Sequence, residues 1–288
     1  MFSIVKAQRI PLPSVPVKSA GPPDLLLITG FLVALGALIA GVALTGAGLH
    51  YFLQPTAAAI VLGGTLGILL ITTPIRMIGN SFGRVASLFS RDCVDPGLLV
   101  DEIVQVARIA RKEGPSGLQR AADHIQDPFL RESLLLALDL ESRCDLQAAI
   151  ETEVRLRERQ GEADAKTFEV AGGFAPTVGI LGTVVGLIEV LRNFSDFPAV
   201  GAGIGTAFVS TIYGLALANL LLLPLAHRIR ATVAETFEVQ ELVLEGVLCV
   251  NDGLHPSLIR LRLGAFLRES KAVSNPTAST AITAAVHG

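Results

Sequence analysis

Tryptophan is absent from the chain and tyrosine occurs only twice. The aromatic belt that marks many membrane proteins at the lipid–water boundary is therefore thin. Charge is scarce as well. Asp, Glu, Lys and Arg make up 17% of the 288 residues, where a soluble enzyme carries about 25%. The three cysteines, Cys93, Cys144 and Cys249, do not pair evenly and lack metal-ligand spacing. They read as small buried hydrophobes of a reducing compartment. A net charge of −3 offers no electrostatic footprint for nucleic acid. Gly-x-Ser-x-Gly, a phosphate-binding loop and a His pair at ligand spacing are all missing. The five histidines, His50, His124, His227, His255 and His287, are scattered and read as surface residues. No catalytic residue and no cofactor is expected, which argues against a membrane enzyme.

Apolar length is what the chain has instead. Its mean hydropathy is +0.57. Four runs approach the roughly 20 residues that cross a bilayer. They extend over about Leu25–Leu44, Thr56–Ile75, Val170–Ile188 and Ala199–Ala226. The first follows a Pro-rich arm with no clean small-x-small site, so it reads as a span and not a cleaved leader. Lysine and arginine set the orientation. The loop Thr45–Pro55 has neither, and the loop between the third and fourth runs has only Arg192. The arm carries Lys6, Arg9 and Lys18, and the stretch Asn80–Phe168 carries 12 of the 23 basic residues. The positive-inside bias therefore puts both termini and the large insert in the cytoplasm.

The insert, about Asn80 to Thr167, reads as helical. Leu99, Ile103, Val106, Ala107 and Ala110 share one face. Gly114-Pro115 is expected to stop that helix. Leu134-Leu135-Leu136-Ala137-Leu138 supplies a second apolar segment. Asp145 is expected to cap a third helix, rich in mixed charge through Arg159. Beyond the fourth run, Ala231–Val250 reads as a helix leaving the membrane. Asn251-Asp252-Gly253 breaks it, and Pro256–Leu267 restarts it. The expected fold is all-α: a cytoplasmic arm (1–24), spans one and two (25–79), a cytoplasmic helical domain (80–168), spans three and four (169–228), C-terminal cytoplasmic helices (229–271) and a disordered tail (272–288).

The third run holds Ala175-Pro176-Thr177-Val178-Gly179-Ile180-Leu181-Gly182-Thr183-Val184-Val185-Gly186-Leu187. An anchor facing lipid would be filled with Leu and Val. This run keeps a proline, hydroxyls and glycines, so it packs against other helices and lines something polar. No Asp, Glu, Lys or Arg lies deep in any run. An ion crossing hydrocarbon needs oxygen ligands or a titratable group, and here only hydroxyls and carbonyls are available. Thr183 and Thr211 fall at similar depth near the bilayer centre, with Thr206 and Ser210 beside them. An ion path built on these residues needs its carboxylate from another chain. Pro176 and Pro224 both lie toward the cytoplasmic side, and each removes a backbone hydrogen bond where a helix can bend.

Those motifs resemble the third span of the flagellar motor stator A subunits, the MotA/PomA family. The match continues through Ser210-Thr211-Ile212-Tyr213-Gly214, Asn219 to Pro224, Gly246-Val247-Leu248, Asp252-Gly253 and Pro256. It covers residues 25 to 271. The resemblance implies an ion-driven stator in the bacterial cytoplasmic membrane, in which five A subunits surround two B subunits of the MotB/PomB type. The B subunit's span carries the essential Asp and its periplasmic domain grips peptidoglycan, while the A subunit's insert pushes the rotor protein FliG. On this resemblance, Pro176 and Pro224 match the prolines that couple ion flow to movement. Thr183, Ser210 and Thr211 match the polar cluster beside that Asp. A hydroxyl at Thr183 favours Na+ near Thr183 and Thr211, while Ser210 stands where sodium-type members usually have Thr. Arg111, in Ala110-Arg111-Lys112-Glu113-Gly114, matches the basic rotor contact. The acidic contact falls on Gln119, which is uncharged, so Glu113 or Asp123 substitutes or the charge pattern differs. The alternatives are a TolQ/ExbB-type envelope energiser, with three spans and an external N-terminus, and a non-conducting membrane scaffold.

Overall fold

The computed structural model describes residues 25–44, 46, 48–88, 95–140 and 142–274. The N-terminal arm, Cys93 and the chain beyond Ser274 lie outside the described residues. Every regular element among those described is helical. Helix α1 covers Leu25–Leu44, the full extent of the first apolar run. A short 3-10 turn, Leu49–Phe52, leads to α2, Pro55–Thr72. Thr73 is extended, with φ −130° and ψ 128°, because the residue before a proline is pushed out of the helical region. The second run therefore ends three residues before Ile75, and that residue opens α3, Ile75–Leu88.

Three further helices follow the same local logic. Helix α4 covers Pro96–His124, and its first N–H groups are capped by Asp95, whose carboxylate accepts from the Gly97 amide at 2.9 Å. Leu99, Ile103, Val106 and Ala107 are buried on it, as the spacing predicts. Gly114 sits at φ 67° and ψ −155°, a conformation that suits glycine. The first leg of α4 ends there and Pro115 opens a second leg. Helix α5, Pro128–Asp139, is capped by Asp127, which accepts from the Leu130 amide at 2.7 Å. Helix α6 starts at Arg143, and its cap is Ser142, not Asp145. The Asp145 amide donates to the Ser142 hydroxyl at 3.4 Å, and the Asp145 carboxylate lies in the first turn, where the helix dipole favours it.

The larger departure is continuity. Helix α6 covers Arg143–Arg192, 50 residues without a break. At ~1.5 Å per residue it is about 75 Å long, more than twice a hydrocarbon core of about 30 Å. The charged third helix of the insert and the third apolar run are one rod. The fourth run behaves alike: α7, Phe197–Ala216, passes through a π-helical turn, Leu217–Leu222, into α8, Leu223–Asn251. Gly253, at φ 65°, ends α8, and α9 runs over Pro256–Ser274. Among the described residues three stretches are long and apolar enough to cross a membrane: α2, α6 and the run Phe197–Asn251; Thr29–Leu44 of α1 is a shorter apolar helix.

Away from the apolar runs, one core joins segments distant in sequence. Leu99 and Ile103 of α4, Leu130 and Leu134 of α5, Leu146 and Ile150 of α6, Leu242 and Val247 of α8, and Ile259 and Leu263 of α9 are all buried in it. The insert and the C-terminal helices thus share one interior. A smaller cluster, Leu88, Ala165, Phe168, Ala226, Ile229 and Val233, forms a neck between this core and the apolar helices. There the Arg84 guanidinium meets the buried Asp164 carboxylate at 2.7 Å, and the Ser81 hydroxyl donates to the same carboxylate at 3.3 Å. On the neck's outer face Arg230 bridges Glu162 and Glu169 of α6, at 3.2 and 2.5 Å.

Leu134 is 1% exposed and Leu261 is 64% exposed. Leu134→Ala is expected to cost about 2–5 kcal/mol, and Leu261→Ala within ~0.5 kcal/mol. Thermal denaturation of the detergent-solubilised protein compares them. Burial, reinforced by Glu245, pushes the Cys249 thiol up to about 11, whereas Cys144 is exposed. In a Cys93→Ser background, maleimide near neutral pH should label Cys144 and spare Cys249 until the chain is unfolded. Mass spectrometry of the labelled peptides reads the difference.

Candidate functional site

The apolar helices meet through small residues. Ala175, Gly179, Gly182 and Gly186 recur along α6 at steps of four, three and four; Gly203, Ala207, Ser210 and Gly214 do the same along α7. The two rows face each other in opposite directions. A Cβ built on Gly186 would sit 2.7 Å from the Ala207 nitrogen and the Gly203 oxygen. One on Gly182 would sit 2.6 Å from the Ser210 Cβ, and one on Gly214 would sit 2.7 Å from the Ala175 oxygen. Backbone touches backbone, the close approach that small residues permit between helices in lipid. Helix α2 closes the third side, with Ile60 against Gly182 and Gly64 against Val178.

Hydroxyls sit on the edge of this seam. Thr183 and Thr211 are 2.5 Å apart at their Oγ1 atoms, so shared depth becomes direct contact. The Thr183 hydroxyl also lies 3.0 Å from the Ala207 carbonyl and 3.2 Å from the Gly179 carbonyl. Each hydroxyl has one proton to give. Four oxygens therefore share fewer protons than the contacts could use, and the pair remains half-buried. Clustered oxygens of this kind are the donor type that hard cations take. Ser210 differs. It is fully buried in the seam and donates to its own helix, to the Thr206 carbonyl at 2.8 Å. Thr206 likewise donates to Ala202, at 3.1 Å. Thr65 on α2 is buried too, and its hydroxyl has no partner among the described residues. Among the described residues no group of three or more His, Cys, Asp or Glu could hold a metal ion.

The two prolines converge on one place. Pro176 leaves the Gly172 carbonyl without its helical donor. A Cβ on Gly172 would meet Leu223 at 2.9 Å and Leu222 at 3.3 Å, the residues just before Pro224. There the chain is already π-helical, and the Leu223 amide donates to Ala218, five residues back. Wider turns of this kind recur at functional sites. Proline and glycine were visible in the sequence, but the π turn was not, since hydrophobic periodicity cannot resolve one inserted residue.

At the far end, Arg111, Lys112 and Gln119 are exposed on the two legs of α4. Glu113 pairs with Arg120 at 2.5 Å across the Gly114 kink, and Asp123 pairs with Arg131 at 3.6 Å. Both acids that could stand in for Gln119 are thus neutralised locally, while Arg111 and Lys112 have no acidic partner among the described residues.

Comparison with known proteins follows the same division. The signature of the MotA/TolQ/ExbB proton channel family matches residues 121–241, and that of the motility protein A N-terminal region matches 28–116. The chain is 29% identical over 248 residues to motility protein A of Bacillus subtilis strain 168, covering 85% of this chain and 91% of that one. It is 28% identical over 250 residues to the chemotaxis protein PomA of Vibrio alginolyticus, covering 85% and 94%. The structure of the flagellar MotAB stator complex from Bacillus subtilis superposes with a TM-score of 0.78 at 29% identity, over 86% of this chain and 97% of that one.

Gly186→Val should force α6 and α7 apart, because the atoms in the way are backbone. Gly201→Val has open space, with nothing within 4 Å of its Cβ. The first is expected to destabilise by about 1–3 kcal/mol or more and the second by little. The amount of each variant in the membrane and its melting in detergent separate them.

Proposed function

Because the chain belongs to the MotA/TolQ/ExbB proton channel family, we propose that it is the A subunit of a flagellar motor stator, coupling ion flow to torque with a MotB-type partner. The observation that carries the reading is the Thr183–Thr211 hydroxyl pair on a glycine-tight seam, in spans that contain no acid. A hydroxyl pair alone cannot release and recapture an ion against hydrocarbon, where an isolated charge costs several kcal/mol or more. A carboxylate from the partner's span completes the site.

In this reading α1, α2, the outer part of α6 and α7 with the π turn are the four spans. Helices α3 to α5 and the inner part of α6 form the cytoplasmic insert, and both termini are cytoplasmic. Five copies surround two partner subunits. The exposed apolar residues of α6, including Leu181, Val184, Leu187 and Ile188, face lipid, neighbouring copies and the partner. The Thr183 and Thr211 oxygens receive Na+ as cargo beside the partner's carboxylate, with protons as the alternative ion. Arg111 and Lys112 meet FliG.

Magnitudes indicate where the chain yields. One monovalent ion moving through ~100 mV supplies about 2.3 kcal/mol. That leaves little or nothing over the cost, about 1–3 kcal/mol or more, of forcing a packed seam apart. It is comparable with bending a helix where one hydrogen bond, worth about 0.5–1.5 kcal/mol net, is already missing. Pro176 and Pro224 mark those places, so the seam moves as a unit and the bend falls at the prolines.

An energiser of the TolQ/ExbB type has less support, since the motility-type N-terminal region and α1 are both present. In cells whose only stator uses this subunit, deletion should abolish swimming and leave filaments intact; normal swimming would exclude the stator reading. Speed measured against sodium at constant ionic strength tests the ion. Thr183→Val should raise the sodium needed for half-maximal speed about tenfold or more, the worth of one charge-assisted contact. Speed indifferent to sodium but stopped by an uncoupler would assign protons instead.

A further inference from the structure

Arg108 lies one turn before Lys112 on α4, and Asp101, Gln105, Arg108 and Lys112 recur at steps of four, three and four along a single face. The start of α9 packs beside that face. Between the two helices lies a cleft of about 370 Å³ lined by Val104, Arg108, His255, Pro256, Ser257 and Arg260. Val104 and Pro256 are buried and form an apolar floor. Arg260 is tethered at one end by Asp101, at 2.6 Å. The His255 Nδ1 shares a hydrogen with the Ser257 hydroxyl at 2.7 Å. Arg108 is exposed and has no acidic partner among the described residues. The cleft is therefore a cationic groove with a small apolar base, continuous along α4 with Lys112 and flanked by Arg111.

We infer that this groove extends the rotor-contact surface, receiving an acidic side chain of the rotor protein between α4 and α9. The inference rests on the stator reading above. The chemistry selects a carboxylate. An uncompensated guanidinium on the rim offers a fork of donors to it, and a cationic strip several residues long steers an acidic surface into register. Gln119 supplies no charge, and Glu113 and Asp123 are engaged with Arg120 and Arg131. The groove thus adds the unpaired Arg108 guanidinium to Arg111 and Lys112, on a face where Arg260 of α9 and Asp101 hold each other.

The test uses motile cells whose only stator contains the full-length chain, with swimming speed and membrane level measured for each variant. Arg108→Glu is expected to weaken rotor engagement about tenfold and so to slow swimming at normal membrane level. Arg108→Lys should keep most of the speed. Arg159→Glu, an exposed charge change on α6 away from the groove, should leave speed unaltered. Replacing one acidic residue of the rotor protein by lysine should restore speed to Arg108→Glu. If the glutamate variant is poorly inserted, Arg108→Gln replaces it, with the same restoration required. Wild-type speed in Arg108→Glu at normal membrane level overturns the inference. So does equal slowing by Arg108→Glu and Arg159→Glu, or slowing that no charge reversal on the rotor relieves. Arg111→Glu separates the levels: if it stops rotation while Arg108→Glu does not, the groove is excluded and the rotor reading stands. If both are harmless, both are excluded.

Discussion

Everything in the apolar part of this protein depends on the absence of side chains between α6 and α7. Four positions on each helix are Gly, Ala or Ser, and carbonyls of one helix lie within 3.0 Å of where a Cβ on the other's glycines would sit. The Thr183 hydroxyl reaches the Ala207 carbonyl of the neighbouring helix only because the helices are this close. The same closeness brings Thr211 to Thr183. The clustered oxygens are therefore a product of the seam, and a larger residue at Gly182 or Gly186 would separate them without touching a hydroxyl.

Much of this was legible in the sequence, for physical reasons that differ by region. Apolar length identified α1 to the residue and α2 to within three, since a helix with no charged side chain leaves little choice of environment. The buried face of α4 followed from its spacing, and Gly114 and Gly253 marked turns because their backbone conformations favour glycine. Asp145 was misassigned because Ser142, three residues earlier, offers its oxygen to the same first turn. The unbroken α6 was not legible. Charge ends at Glu169 and apolarity begins at Val170, and a change of solvent resembles a change of element. Helical hydrogen bonding ignores it.

The candidate site divides in the same way. Thr183, Thr211, Pro176 and Pro224 could be chosen by type and depth. That the threonines touch, that Ser210 turns back to its own helix, and that the prolines meet through Gly172 depend on packing between residues far apart in sequence. The groove beside α9 has no local sign, because half of it comes from a helix some 150 residues downstream. The shared interior of α4, α5, α6, α8 and α9 likewise cuts across the chain order that suggested separate domains.

The continuity of α6 makes it a lever with unequal arms. From Pro176 to Thr183 is seven residues, about 10 Å of rise, and from Pro176 to Leu146 is thirty, about 45 Å. A small tilt about the proline moves the buried end in the core shared with α4, α5, α8 and α9 roughly four times as far as it moves the hydroxyl. Sub-ångström adjustments at the hydroxyl pair would arrive at the core as steps of ångströms. The force available there falls by the same ratio. Such gearing suits many weak, frequent strokes, and it calls for a rotor surface that can be gripped gently.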